Sequence, residues 1–428
     1  MKRYPALCVA VLLAVITSPD GSQAEDWARF RGPGGAATSD AKGLPVAWGG
    51  DGDRAKNIVW SAPLPGHGAS SPIVVGGRVF LTCYSGYGIA EKQGREEDLT
   101  RHLLCFDVDD GKRIWQKDLP AALPEASYES FLRVHGYASH TPTSDGERLY
   151  VFLGKSGVYA FDLEGKELWH KRVGIGITNW GSGASPVLVG DLVVVNASLE
   201  RRTMYAFDKK TGEPMWRIEK VNSSWSTPVL ADAPGGKKEL VFYIHRKVAG
   251  FDPTTGEELW MVDADEDSSY AAPSPVAADG IVYAYVGGGE LVAIRTGGRG
   301  NVSKSHVLWR AGGVASGITS PAIGGGLIYC QGNNGVFACV DAKTGEVVYK
   351  ERLPRGAAYS SPLVGDGKVY AVTREGGTCV IEAGRKFRLL ARNHLDDSIF
   401  NASPAVHKNR LLLRSNQSLY CIGAATTD

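Results

Sequence analysis

The chain is 428 residues long, 43% hydrophobic, and carries 47 Lys and Arg against 46 Asp and Glu. A net charge of +1 excludes both the broad basic field of a non-specific nucleic-acid binder and a long acidic solvating tail. The length alone would suggest two or three domains, an expectation that the internal periodicity below replaces with one large domain.

Residues 1–24 read as a secretory signal. Lys2 and Arg3 form its charged start, and Cys8 to Ile16 is an apolar run too short to span a bilayer. Ser22-Gln23-Ala24 is a small-x-small cleavage site, which places the mature start at Glu25. Cys8 lies at the start of the apolar run, not after it, and is poorly placed for lipid attachment. No other stretch suits a transmembrane helix, so the expected product is a soluble, exported protein, periplasmic or extracellular. Residues 25–56 lack strand alternation and are expected to form an ordered strap, with Trp27, Phe30 and Trp48 packing it onto the outside of the domain that follows.

From residue 57 to 423 the chain repeats. Ser185 to Trp216 shows the unit: four short β-prone runs separated by Gly190-Asp191, a seven-residue connection, and Thr211-Gly212. Ser-Pro or Thr-Pro recurs at Pro72, Pro142, Pro186, Pro228, Pro275, Pro321, Pro362 and Pro404, spaced by about 41–47 residues after the first interval. The units end on Trp115, Trp169, Trp216, Trp260, Trp309 and Tyr349. That period predicts an all-β fold, an eight-bladed β-propeller of four-stranded antiparallel blades. The seventh unit loses its pattern after Glu382. The eighth stops one strand short, at Cys421-Ile422-Gly423, and Asn57-Ile58-Val59-Trp60 supplies the missing strand, closing the ring and removing an exposed edge. Residues 424–428 form a short tail.

Two insertions interrupt the first units, Tyr84–Arg101 and Asp118–His140. Blade topology puts both on one mouth of the central channel, opposite the Asp-x-x-Thr-Gly turns. Binding function commonly resides in such long loops on a rigid scaffold. The approaches to the Ser-Pro signatures line the same mouth and supply the candidate ligand-binding residues: His67, His135, Tyr137, His140, Trp180, Trp225, Tyr270, Tyr359 and Asn401, with Phe400 beside them.

Six cysteines follow the signal. Cys105, Cys339 and Cys421 occupy a third-strand slot held elsewhere by Ala160, Ala206, Gly250 and Ala293, where a small buried side chain is needed. Cys330–Cys339 and Cys83–Cys105 flank hairpins and are candidate disulfides in an oxidising compartment. No Cys-x-x-Cys or His-Glu-x-x-His spacing points to a metal site. Asp107, Asp162, Asp208, Asp252 and Asp341 each precede a turn, where side-chain-to-backbone capping explains them better than metal binding.

The run Ala206-Phe-Asp-Lys-Lys-Thr-Gly-Glu-Pro-Met-Trp216, with Gly250–Trp260 and Cys339–Tyr349, resembles the tryptophan-docking repeat of the pyrroloquinoline quinone (PQQ) propeller superfamily. Trp27-Ala-Arg-Phe-Arg-Gly-Pro33 resembles the opening of secreted bacterial PQQ-like repeat proteins. The resemblance implies either a quinoprotein dehydrogenase or a scaffold like the propeller lipoprotein of the outer-membrane β-barrel assembly machine, and fold alone does not choose. The dehydrogenases' vicinal Cys-Cys pair is missing. Asn179, Asn222, Asn401, Asp396-Asp397, Trp180 and Trp225 form no recognisable cofactor motif, so no catalytic residue is carried over. The expectation is a monomeric, non-catalytic scaffold without cofactor, whose partner at the mouth is a protein segment or small polar ligand. A PQQ- and Ca²⁺-dependent oxidoreductase is the alternative, and glycan binding a third.

Overall fold

In the computed structural model, which describes residues 26–49, 56–89, 94–128, 136–264, 271–314, 317–354 and 357–423, the repeats fold into eight antiparallel sheets around a central channel. Blade one comprises Ile73–Val75, Arg78–Ser85, Thr100–Asp107 and Arg113–Pro120. Blade two comprises Thr143–Ser144, Arg148–Phe152, Val158–Asp162 and Glu167–Lys171. Blade three comprises Val187–Val189, Leu192–Ala197, Thr203–Asp208 and Pro214–Glu219. Blades four to seven span 229–263, 276–311, 322–352 and 363–394, and blade eight opens with Ala405–His407 and Arg410–Arg414. Its third strand, Ser418–Ile422, pairs antiparallel with Ile58–Pro63, so the start of the chain completes the last blade as the sequence predicts.

The recurrent hydroxyl-Pro pair is what joins the blades at the axis. First strands of neighbouring blades touch one another there. The N–H of Ser71 donates to the Thr141 hydroxyl, Thr141 to Ser185, Ser185 to Thr227 and Thr227 to Ser274. Ser274 then donates to Ser320, Ser320 to Ser361, Ser361 to Ser403, and Ser403 back to Ser71, every bond in the circuit measuring 2.9–3.0 Å. Proline holds the preceding residue extended, which keeps each N–H and hydroxyl in register for the two neighbours. These groups are buried, so each bond satisfies a donor that water cannot reach.

At the periphery the blades are joined by indoles. Trp115 stands opposite Cys105, Trp169 opposite Ala160, Trp216 opposite Ala206, Trp309 opposite Ala293 and Trp60 opposite Cys421. These pairings are the reason the third-strand slot is small. Each indole N–H donates to a carbonyl in the next blade's turn: Trp60 to Val108, Trp115 to Leu163, Trp169 to Lys209, Trp216 to Pro253 and Trp309 to Ala342. The Trp60 bond crosses from blade eight to blade one. The ring lies over the turn glycine, so closely that a Cβ at Gly111 would fall 2.5 Å from the Trp60 indole and one at Gly345 2.6 Å from that of Trp309.

Three junctions depart from this pattern, the first because blade six ends on Tyr349, opposite Cys339, in place of an indole. Trp260 is fully buried and donates to Glu239 Oε2 at 2.7 Å, while Gly297 N–H binds the same carboxylate. Blade seven was expected to degenerate after Glu382, but Leu389–His394 forms a complete fourth strand. Ala391 there faces Val380, reversing which strand carries the bulky residue, and this removed the signal a terminal Trp would have given.

The strap also departs from expectation. Residues 26–39 run along the inner strands instead of the outside. Val74 N–H donates to Trp27 O, and Ser144 N–H to Ala28 O. Arg29 and Arg31 donate to the carbonyls of Pro228 and Pro321, and Thr38–Ser39 pairs in parallel with the first strand of blade seven. Only then does the strap emerge, and Trp48 packs near Tyr370 with its backbone N–H donating to Asn393 Oδ1. The first strands leave backbone groups facing inward, and the strap satisfies several of them.

All six described cysteines are free and buried. Cys330 faces Ala338 and Cys83 faces His102 across their hairpins, so neither candidate disulfide has its partner in register. Cys83 and Cys105 pack into cores on opposite faces of blade one, and Cys330 and Cys339 do the same in blade six.

Candidate functional site

The two insertions of blade one meet over the mouth. Tyr84, Leu99, Ala126, Tyr128, Tyr137 and Ala138 pack into one small core, with the Tyr84–Tyr137 and Tyr128–Tyr137 centroids 4.9 and 4.6 Å apart. Under it lies the charged anchor of the region. Arg101, at the end of the first insertion, donates to Glu125 Oε1 at 2.6 Å, Ser156 Oγ at 3.0 Å and Tyr137 O at 2.9 Å. Both partners of this ion pair are nearly sealed from solvent. A buried pair bonded on this many sides fixes geometry more than it adds stability.

Beside the anchor a small recess, with room for a water molecule or two, opens between blades one, two and three. Its floor is Gly154, which has φ +56° and no side chain; a Cβ there would sit 3.2 Å from Glu200 Oε1 and 3.4 Å from Ser182 Cβ. Three polar side chains converge above it. His140 Nε2 lies 2.9 Å from Ser182 Oγ, and the Ser182 hydroxyl also faces the Glu200 carboxyl. Burial pushes Glu200 up to about 7. Burial, reinforced by the Arg101 charge, pushes His140 down to about 3, so the imidazole stays neutral. Glu200 Oε2 and His140 Nδ1 are buried with no hydrogen-bond partner. Glu200 rides on a one-turn helix, Ser198–Arg201, in the connection between the second and third strands of blade three.

The rim beyond the recess is apolar. The connection from blade two to blade three exposes Ile175 at 82% and Trp180 at 44%, with Ile177 between them. Its glycines let it lie flat on the Glu200 helix: Gly176 N–H donates to Glu200 O at 2.9 Å, and a Cβ at Gly174 would meet the same oxygen at 2.3 Å.

Of the residues singled out in the sequence, Tyr137 and His140 line the recess. Trp225 donates from its indole to Gly181 O at 2.7 Å, next to Trp180 on the rim. His67 is tied by backbone bonds to Tyr84, whose ring it meets edge-on. Tyr359 lies under Arg374 on blade seven, and Asn401 is buried at the approach to blade eight, so neither joins the recess. His135 and Tyr270 lie outside the described residues. Sequence reasoning did not single out Arg101, Glu125, Lys155, Ser182 or Glu200. The only signal for Glu200 was the length of its connection, seven residues between the predicted strands 192–196 and 204–208, where a tight hairpin would need two.

The donors do not suit calcium. Among the described residues no three His, Cys, Asp or Glu side chains gather closely enough to hold a metal. Asn222 Oδ1 already accepts from Arg202 at 2.9 Å. Calcium asks for six to eight oxygens, carboxylates prominent among them.

A family model described as outer membrane protein assembly factor BamB matches residues 100–301 and 299–417. The chain belongs to this family of PQQ-like propellers. A curated relative from Yersinia pestis, outer membrane protein assembly factor BamB, is 24% identical over 330 residues, covering 73% of this chain and 77% of that protein. The crystal structure of BamB from Moraxella catarrhalis superposes with a TM-score of 0.62 at 14% identity, over 87% of this chain and 98% of that one. A europium-containing methanol dehydrogenase superposes with a TM-score of 0.68 at 12% identity, over 94% and 98%. At such identities the structural likenesses speak for the fold alone. Both a scaffold and an oxidoreductase are built on it.

Proposed function

We propose that this propeller is an exported, non-catalytic scaffold that docks an extended segment of a partner protein across the mouth over blades one to three. The observation that carries the reading is the rim of Ile175, Ile177 and Trp180 beside a recess built from both insertions. Exposed apolar side chains on an immobilised loop supply contact area with little ordering entropy. The relative from Yersinia pestis is described as an assembly factor for outer membrane proteins, which supports a protein partner of the cell envelope. The signal-like residues 1–24 support export to the same compartment. Among the described residues no helix is long and apolar enough to cross a membrane.

A photo-crosslinker placed at Ile175 in producing cells should capture a discrete envelope protein, and one at Val347, exposed on blade six, should not. Equal capture from both positions, or none from either, would reject the mouth as the docking surface. The oxidoreductase reading makes a separate prediction. Calorimetric titration of the purified protein with PQQ and Ca²⁺ should show saturable, chelator-sensitive binding if it holds, and no heat if the scaffold reading holds.

A further inference from the structure

The motif Trp27-Ala-Arg-Phe-Arg-Gly-Pro33 plays no part in the docking surface, yet it carries two cations into the channel. Arg31 is 1% exposed and its guanidinium donates to Pro321 O on blade six. Arg29 donates to Pro228 O on blade four at 3.3 Å. Of the other donors, Nε and Nη1 of Arg31 and Nε of Arg29 are buried with no hydrogen-bond partner. Among the described residues no carboxylate forms an ion pair with either arginine, although ion pairs occur throughout the rest of the ring. Backbone strain marks the same spot, since Arg31 adopts φ +64°, a left-handed conformation that non-glycine residues rarely take. Desolvation lowers both guanidiniums, Arg29 to about 10 and Arg31 to about 9, the latter also through repulsion by Arg29.

Two guanidiniums this deep remain charged at neutral pH, and buried charges are ordinarily paired. Carbonyl dipoles alone do not neutralise them. From these unused donors and the missing counter-charge we infer that Arg29 and Arg31 hold a small inorganic anion, a halide or an oxyanion such as phosphate, in the central channel beneath the hydroxyl ring. Guanidinium groups suit this chemistry because their N–H donors are fixed in one plane and carry full charge. The anion would lock the strap to blades four and six, and so fasten the segment that leads into the last blade's closing strand. This inference does not depend on the docking function.

The test reads anion-dependent stability. Melting temperature is measured on the purified protein at constant ionic strength, with sodium gluconate replaced stepwise by chloride in one series and by phosphate in another. A bound anion raises the melting temperature by about 2 °C for each tenfold increase above its dissociation constant. The series that responds identifies the anion. Arg31→Gln and, independently, Arg29→Gln should abolish the dependence, whatever they do to the starting melting temperature. Surface substitution Arg217→Gln should leave it intact. The inference is overturned by a melting temperature that ignores both anions, or by a dependence that survives in both channel variants. Should Arg31→Gln fail to fold, Arg29→Gln and an anomalous-scattering map of bromide-soaked crystals decide the question: a peak between the two guanidiniums supports the site, and none refutes it.

Discussion

On the turn face of the ring, five third strands end in an aspartate whose carboxylate caps the following turn through backbone N–H groups two or three residues on, as Asp208 does for Lys210 and Thr211. An indole from the preceding blade covers each of these five turns. On the mouth face the connections differ from one blade to the next. One is a long insertion around an aromatic core, another a glycine-rich loop with exposed isoleucines, a third a one-turn helix bearing a buried acid. Repeated contacts on the first face hold the blades together. The second face is therefore free to vary, and buried polar groups without partners are found there, at His140 and Glu200.

The largest effect should come from the turn-face side, at its one fully buried indole. Trp260→Ala removes a side chain that fills the core between blades four and five, and leaves Glu239 without its indole donor. A loss of about 3–5 kcal/mol is expected from denaturant unfolding. Trp115, half-exposed and bonded to a carbonyl, should cost less when cut back to Ala. Equal losses would mean that indole docking, and not burial, sets the strength of a junction.

On the mouth face the expected effect is a pH dependence. The fold raises Glu200 from 4.5 to about 7, so the native state holds its proton more tightly than the unfolded chain. Its stabilising contribution is therefore complete below about pH 4.5 and is lost as pH rises through 7, about 3 kcal/mol in all. Glu200→Gln should flatten this limb and leave the variant more stable than the parent at pH 8, with little gain at pH 4.5. His140 acts on the acid side. Its neutral form contributes above pH 6.5, and that contribution disappears as pH falls toward 3, equally in parent and variant. A parallel offset between the two stability curves from pH 4.5 to 8 would show that Glu200 does not titrate in this range.

A smaller loss is expected at the axis. Ser361→Ala deprives the Ser320 N–H of its acceptor. One unsatisfied buried donor costs about 1–3 kcal/mol. Thr at the same position keeps the hydroxyl, as Thr141 and Thr227 do in their own blades, and should restore most of the loss. Failure of Thr to rescue would mean that local packing, not the circuit, carries the effect.

The same contrast decides what could be read from the sequence. The axis and the turn face repeat, so eight Ser-Pro and Thr-Pro pairs and the blade-end aromatics were enough to count the blades and to find the closing strand at Trp60. Blade seven escaped because Ala391 and Val380 exchange sizes, and the strap was misplaced because nothing in a segment without periodicity says which surface it covers. Topology put the insertions on one face, and of the residues expected there Tyr137 and His140 line the recess. Glu200, Ser182 and Arg101 were not, since they belong to different blades and come together only when the ring closes. The candidate disulfides failed for a related reason: two cysteines flanking one hairpin share a face only in one register, and a slip of one residue sends them to opposite cores.

The smallest effect on stability should accompany the largest effect on binding. Ile175 and Ile177 project from a loop whose position is set by its glycines and by the Gly176–Glu200 backbone bond, not by the isoleucine side chains. The double substitution Ile175→Asp, Ile177→Asp removes no buried contact of note, and its unfolding free energy should stay within about 0.5 kcal/mol of the parent. A crosslinker at Trp180, which stays in place, should then lose its envelope adduct, because two carboxylates on the rim must be desolvated before an apolar segment can lie there. If the adduct persists at undiminished yield, the partner reaches Trp180 without using the isoleucines, and their exposure needs another explanation. If stability falls by several kcal/mol instead, the loop depends on packing of its isoleucines, and the division between a structural turn face and a free mouth face fails at the place where it matters most.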